Sequence, residues 1–220
     1  DERYERGQEC YDYVQKIWKE ERAFDWDGKY FQGTGVYGNP RPVQSRVPIL
    51  NAAASTQGRA FATRNADFLF TPAFDFDQAA ETVANINQQA QAVNRNIGVL
   101  TFCAVVCRPT QKEAEEYLDY YANENADWES VDYLMKLQGM HAQSFTPDAL
   151  ANFRDRFAAG HGAFPLVGTP DHIADQLEKL SNAGLSGTTL SFVDYAKEFP
   201  YFRDEVIPRL EKKGLRNKVL

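Results

Sequence analysis

The stretch VPILNAAASTQGRAFATRNADFLF, Val47 to Phe70, carries two changes of pattern within twenty-four residues. VPILNAAA reads as a short buried strand, STQGRAFATRNA as a helix, and DFLFTP as the next strand. Three methyl-sized side chains, Ala52, Ala53 and Ala54, stand directly before Ser55, the residue that opens the helix. A strand, a capped helix and a second strand form one β/α unit, and such units build parallel sheets.

Working outward towards the C-terminus, the rhythm repeats. DFDQAAETVANINQQAQAVNRN (75–96) places Ala79, Val83, Ile86, Ala90 and Val93 at helical spacing, and IGVLTFCAVVC (97–107) reads as a strand. TQKEAEEYLDYYANENA (110–126) is a helix that Thr110 can cap. Trp128 to Pro165 interrupts the rhythm with short helical pieces and the start of AAGHGAFPLVG, so this segment is expected to be an insertion or lid on the rim of the sheet. In TPDHIADQLEKLSNAG (169–184), Thr169 caps, Pro170 takes the first helical position, Ile173, Leu177 and Leu180 face the core, and Gly184 ends the helix. LSGTTLSFVDY is the last strand and KEFPYFRDEVIPRLEKKG the last helix.

Towards the N-terminus, FDWDGKYFQGTGVYGNPRPVQSRVP (24–48) suits an aromatic hairpin or ordered loop that ends at Pro40 and Pro42. DERYERGQECYDYVQKIW begins without Met and already sets Tyr4, Tyr11, Val14 and Trp18 on one helical face. The chain therefore reads as one that starts inside a larger protein. Four β/α units alone would leave both outer strands of a barrel unpaired. The expected fold is α/β, the second half of a (β/α)8 barrel, with residues 1–220 as the C-terminal part of a single domain.

With 43% hydrophobic and 13% aromatic residues, the 220-residue chain has ample material for a core. The formal charge of −7 and pI near 5.1 set an overall field that repels nucleic acid and anionic membranes, so neither is an expected partner. VLTFCAVVC (99–107), the longest apolar run, has about half the length a membrane helix needs. Cys10, Cys103 and Cys107 are odd in number and form no CxxC pair, which points to three buried free thiols in a reducing, cytoplasmic compartment.

A serine that caps a helix after a strand offers its hydroxyl together with the free N–H groups of the first turn, and the helix dipole favours an anion there. The alanines before Ser55 are small enough for a phosphate and its attached group to come close. Arg59 and Arg64 read as a solvated helix face. His141, His161 and His172 have no metal-ligand spacing, so no metal is expected; His172 reads as a helix-face residue and His161 as a loop residue near a pocket. The absence of a nucleophile motif, Walker loop or GxGxxG argues against hydrolase, phosphotransfer and dinucleotide-dehydrogenase chemistry.

DERYERGQECYDYVQKIW, FDWDGKYF, the stretch from Pro48 to Phe70, LVGTPDHIADQLEKL and GTTLSFVDYAKEFPYFRDEVIPRL occur in the order and spacing of the bacterial luciferase-like flavin monooxygenases. The chain most resembles the group holding the pyrimidine-ring-opening oxygenase and the sulfone monooxygenases, over the C-terminal part of that family. The resemblance implies a (β/α)8 barrel with FMN at the carboxyl ends of its strands, the phosphate held by an Arg-Tyr pair and a serine. Those motifs fall on Arg3, Tyr4 and Ser55, with Thr56 as a further donor. AAAST replaces the glycines and serine pair of many relatives, which leaves Ala54 without a side-chain donor and implies modest FMN affinity. The implied activity is oxygenation of a small organic substrate by reduced FMN and dioxygen, with the flavin delivered by a separate reductase and the enzyme acting as a homo-oligomer. No catalytic residue is assigned, because those of the family come mostly from earlier strands. The alternative is a flavin- or phosphate-binding relative without turnover.

Overall fold

The computed structural model describes residues 2–53, 55–139 and 147–218. The chain divides into two compact units, residues 1–70 with 85–98 and residues 71–84 with 99–220.

The first unit opens with α1 (Glu2–Lys19), which has Glu2 and Glu5 in its first turn and Lys16 and Lys19 in its last, as the helix dipole favours. Strands β1 (Phe24–Asp27) and β2 (Gln32–Val36) form an antiparallel hairpin, the ordered aromatic element expected there. Tyr13 of α1 packs its ring against Phe24, Trp26 and Phe31. The Glu9 carboxylate accepts the amides of Tyr30 and Phe31 and the Trp26 indole, and so fixes the hairpin tip on α1. Next come β3 (Leu50–Asn51), α2 (Thr56–Asn65) and β4 (Phe68–Phe70). β3 and β4 run parallel, with Leu50 opposite Phe68 and Asn51 opposite Leu69.

Only two residues of VPILNAAA are strand, and Leu50 is 50% exposed. The expectation of a buried strand is corrected: Pro48 lacks the N–H that would extend the ladder, and the chain leaves the strand at Ala52. The alternation beyond it holds. Leu69, Ala62 and Ala66 are buried, as are Ile86 and Ala90 of α3 (Phe76–Gln91), a helix shared by the two units. Val93 lies past the helix end and is exposed.

The second unit is organised on β5 (Gly98–Cys107), whose side chains alternate between buried and partly buried from Val99 to Val105 and stay buried through Cys107. α4 (Gln111–Asp119) starts with a reciprocal capping box between Thr110 and Glu113 and runs into one π-helical turn, Tyr120–Glu124. α5 (Trp128–Leu137) and α6 (Pro147–Gly160) occupy the segment expected as an insertion, where Met135, Phe153 and Phe157 form a small core of their own. The end of that segment is a strand, β6 (Phe164–Gly168), parallel to β5. Pro165 and the neighbouring glycines mask it in the sequence.

After α7 (Pro170–Asn182) comes β7 (Gly187–Ser191), also parallel to β5. Thr169 caps α7 and Gly184 follows it at φ 94°, a left-handed backbone that glycine adopts without strain. The expected last helix is two helices, α8 (Tyr195–Glu205) and α9 (Ile207–Lys212), because Pro208 cannot donate the hydrogen bond that continuity requires. The parallel β/α order agrees with the expected α/β class. Cys103 and Cys107 are buried, and burial pushes both thiols up to about 11. Cys10 is exposed on α1, which corrects the expectation of three buried thiols. No described helix is long and apolar enough to cross a membrane.

Candidate functional site

The strand β3 ends at Asn51, whose side-chain oxygen accepts the Ala53 amide at 2.8 Å and turns the chain towards the helix. Ser55 stands at the N-cap of α2 in extended conformation, and its Oγ accepts the Gly58 amide at 3.1 Å. The amides of Thr56 and Gln57 belong to the first turn, which has no carbonyl a turn earlier to receive them. Ala54 lies outside the described residues.

α1 supplies the second half of the cluster. Tyr4 Oη lies 3.1 Å from Ser55 Oγ, across fifty-one residues of sequence. Ser55 Oγ can accept from both Gly58 N–H and Tyr4 O–H, which leaves its own proton to donate outward; the reverse arrangement frees the Tyr4 proton instead. Either way, one hydroxyl proton remains for a ligand. The Arg3 guanidinium carbon is 5.8 Å from the Tyr4 ring centroid, which sets a permanent cation beside the Tyr4 ring. Thus Tyr4 and Ser55, fifty-one residues apart, meet at the start of α2, with Thr56 next in its first turn and Arg3 beside the Tyr4 ring.

Two contributors were not singled out by motif reading. A Cβ on Gly58 would fall 2.6 Å from the Ala53 Cβ, 2.9 Å from Tyr4 Oη and 3.1 Å from Ser55 Oγ. Glycine is therefore what leaves room for the two hydroxyls to meet. Its signal in the sequence is the glycine itself, a poor helix former placed in a first turn. Asn51 is the other, readable as an asparagine two residues before the amide it holds.

Beside the hydroxyl pair, a depression of about 470 Å3 lies between α1 and α2, with Gln8, Gln57 and Arg64 on its walls. Arg64 is exposed, as a helix-face residue should be. Arg59 is partly buried instead, and its Nε is sequestered from solvent with no hydrogen-bond partner among the described residues.

In the second unit, the carboxyl ends of β5 and β7 are held by a clamp of opposite charges. Arg108 Nη2 donates to Glu198 Oε1 at 2.7 Å, while Glu198 Oε2 accepts the Val193 and Asp194 amides and the Arg108 guanidinium stacks on Tyr117 at 4.0 Å. Burial, then the Glu198 charge, raises the Tyr117 phenol above its usual range. These groups satisfy one another, so the clamp is structural.

His161 is exposed, packs against Phe157 at 4.4 Å and lies 3.1 Å from the Gln138 side chain. His172 is exposed on α7 beside Gln176, the helix-face position expected. His141 lies outside the described residues. Among the described residues, no three His, Cys, Asp or Glu side chains are grouped to hold a metal ion.

Comparison with known proteins sets this arrangement in a family. Residues 1–187 match the luciferase-like monooxygenases. The chain belongs to that family. It is 27% identical over 268 residues to the dimethyl-sulfide monooxygenase of Hyphomicrobium sulfonivorans, covering 97% of this chain and 55% of that protein. It is 26% identical to the FMNH(2)-dependent dimethylsulfone monooxygenase of Pseudomonas fluorescens, covering 94% of this chain and 58% of the relative. Among solved structures, DmoA from Hyphomicrobium sulfonivorans superimposes with a TM-score of 0.81 at 23% identity, over 97% of this chain and 56% of that one. The chain of this luciferase-like family member thus spans a little over half the length of the relatives it matches, and the structural likeness speaks for the fold.

Proposed function

We propose that the protein is an FMN-dependent monooxygenase for a small organic substrate, such as a sulfone, a heterocycle or a substituted aromatic, and that Arg3, Tyr4, Ser55 and Thr56 hold the flavin phosphate. The observation that carries this reading is the Tyr4–Ser55 hydroxyl pair, 3.1 Å apart at the open N-terminus of α2. The donor set fits the group: a hydroxyl pair, the amides of a helix's first turn and a guanidinium suit a dianion. The space that a Cβ on Gly58 would fill keeps that cradle open.

When bound, reduced FMN supplies the reaction with dioxygen and delivers one oxygen atom to the substrate. The chain's own part is binding and placement. The Tyr4–Ser55 pair donates its one free hydroxyl proton to the phosphate, Arg3 balances its charge, and the small side chains Ala52 and Ala53 leave room for the attached chain of the ligand. In the full reading, residues 1–220 are the C-terminal part of one (β/α)8 barrel that works as a homo-oligomer in the cytoplasm. The segment 128–165 serves as a lid or specificity element over its rim, and a separate reductase delivers the flavin.

The test is turnover under labelled oxygen. With FMN, NAD(P)H, a flavin reductase and 18O2, one labelled atom is expected in the product from a dimethylsulfone- or uracil-type substrate. Steady product formation with NAD(P)H and no reductase would contradict the two-component reading, and absence of product from every class offered would contradict the activity.

A further inference from the structure

Tyr4 and Ser55 sit on separate helices, so their 3.1 Å contact exists only while α1 and α2 keep one relative position. A slip of one residue along either helix moves a side chain by about 1.5 Å and turns it to another face, enough to break such a contact. The apolar contacts between the helices do not forbid that slip. Tyr4 and Phe61 lie 6.0 Å apart ring to ring and Gly7 faces the same ring, contacts that tolerate sliding.

One turn beyond Tyr4 on the same face of α1, Gln8 meets Asn65 at the end of α2. Asn65 Nδ2 donates to Gln8 Oε1 at 2.7 Å, and Gln8 Nε2 donates back to Asn65 Oδ1 at 3.1 Å. Each amide is also oriented within its own helix, Asn65 by a bond to the Phe61 carbonyl at 3.1 Å and Gln8 by one to Asp12 Oδ1 at 3.0 Å. All four N–H groups of the two side chains are therefore used, and Asn65 is only 5% exposed. A reciprocal amide pair has both length and direction, so it is the contact between α1 and α2 that defines their register.

We infer that Gln8 and Asn65 are positioning residues for phosphate capture: their amide pair sets the α1–α2 register that brings the Tyr4 and Ser55 hydroxyls together. This rests on the phosphate-site reading above. The pair touches no ligand in this scheme; it acts through the helices that carry the hydroxyls.

The experiment compares FMN with riboflavin, the same flavin without phosphate, by fluorescence titration of the purified protein, and records Tm for each variant. Gln8→Leu alone leaves the buried Asn65 amide unsatisfied and lowers Tm. The double variant Gln8→Leu/Asn65→Leu removes both polar groups together, which restores much of the stability. It still lacks the register contact, so its FMN affinity is expected to fall about tenfold, with riboflavin affinity within about twofold of wild type. Gln8→Glu keeps the acceptor for Asn65 and loses the donors, and is expected to fall between the two; it serves as the readout if the double variant does not fold. A preference for FMN over riboflavin that is undiminished in Gln8→Glu or the double variant overturns the positioning role while leaving the phosphate site standing. A wild-type protein with no preference for FMN over riboflavin overturns both.

Discussion

Gly58 does the most with the least. Its missing side chain lets Ala53, Tyr4 Oη and Ser55 Oγ share one small volume, and Gly58→Ala would press a methyl to within 2.6 Å of the Ala53 Cβ. The expected cost is about 1–3 kcal/mol of stability, read by denaturant unfolding, with a separated hydroxyl pair as its consequence. An Ala variant as stable as wild type, or more stable because alanine favours the helix, would show that the cradle is looser than its geometry. What the sequence disclosed at this scale was the cap: Ser55 after a strand and before a helix pattern is a signal carried by three neighbouring positions. The partnership with Tyr4 spans fifty-one residues, and no local pattern encodes it; only the resemblance to a family placed both on one phosphate. Arg59 shows the opposite failure, since helical spacing alone cannot tell a solvated arginine from one whose Nε is buried.

Among the elements, the hairpin on α1 and the clamp at the strand ends yield separate forecasts. Glu9 has two opposing influences: burial raises its pKa, and the Phe31, Tyr30 and Trp26 donors outweigh it, so the carboxyl lies below its ordinary value. A depressed carboxylate contributes stability that is present above the unfolded pKa, near 4.3, and is lost as pH falls through the folded one. The Trp26 indole N–H resonance should therefore persist at neutral pH and shift on acidification below the ordinary carboxylate range, and Glu9→Gln should abolish that transition. An unchanged acid transition in the variant would assign it to another group. At the strand ends, Glu198 is 8% exposed and Arg108 22%. Glu198→Ala leaves the guanidinium and the Val193 and Asp194 amides without their acceptor, and is expected to cost about 2–4 kcal/mol, discounted below the fully buried case because Arg108 keeps some solvent. Thermal unfolding measures it, and a loss under about 1 kcal/mol would show that water replaces the carboxylate. The helices around these elements were legible because caps and 3.6-residue spacing are local. β6 was not, since FPLVG is short and carries a proline, and the split of α8 from α9 falls at Pro208 in a pattern that runs through Pro200 without a break.

At the scale of the whole molecule, a net charge of −7 means that any bound anion is held by local donors against the general field. That sharpens the significance of the α2 N-terminus. The parallel β/α order was readable from alternation alone, whereas closure of a barrel was an inference from unpaired edges and resemblance, and the chain covers 55% and 58% of two relatives. The account as a whole depends on whether the Tyr4–Ser55 cluster holds a phosphate. Calorimetric titration of FMN and of riboflavin into wild type and Ser55→Ala addresses that directly. The account predicts that Ser55→Ala weakens FMN by roughly 1.5–3 kcal/mol, about ten- to a hundredfold or more, leaves riboflavin unchanged, and lowers stability by about 1 kcal/mol through the lost cap. A variant that loses the stability but binds FMN as tightly as wild type would contradict it, and would make Ser55 a helix cap alone.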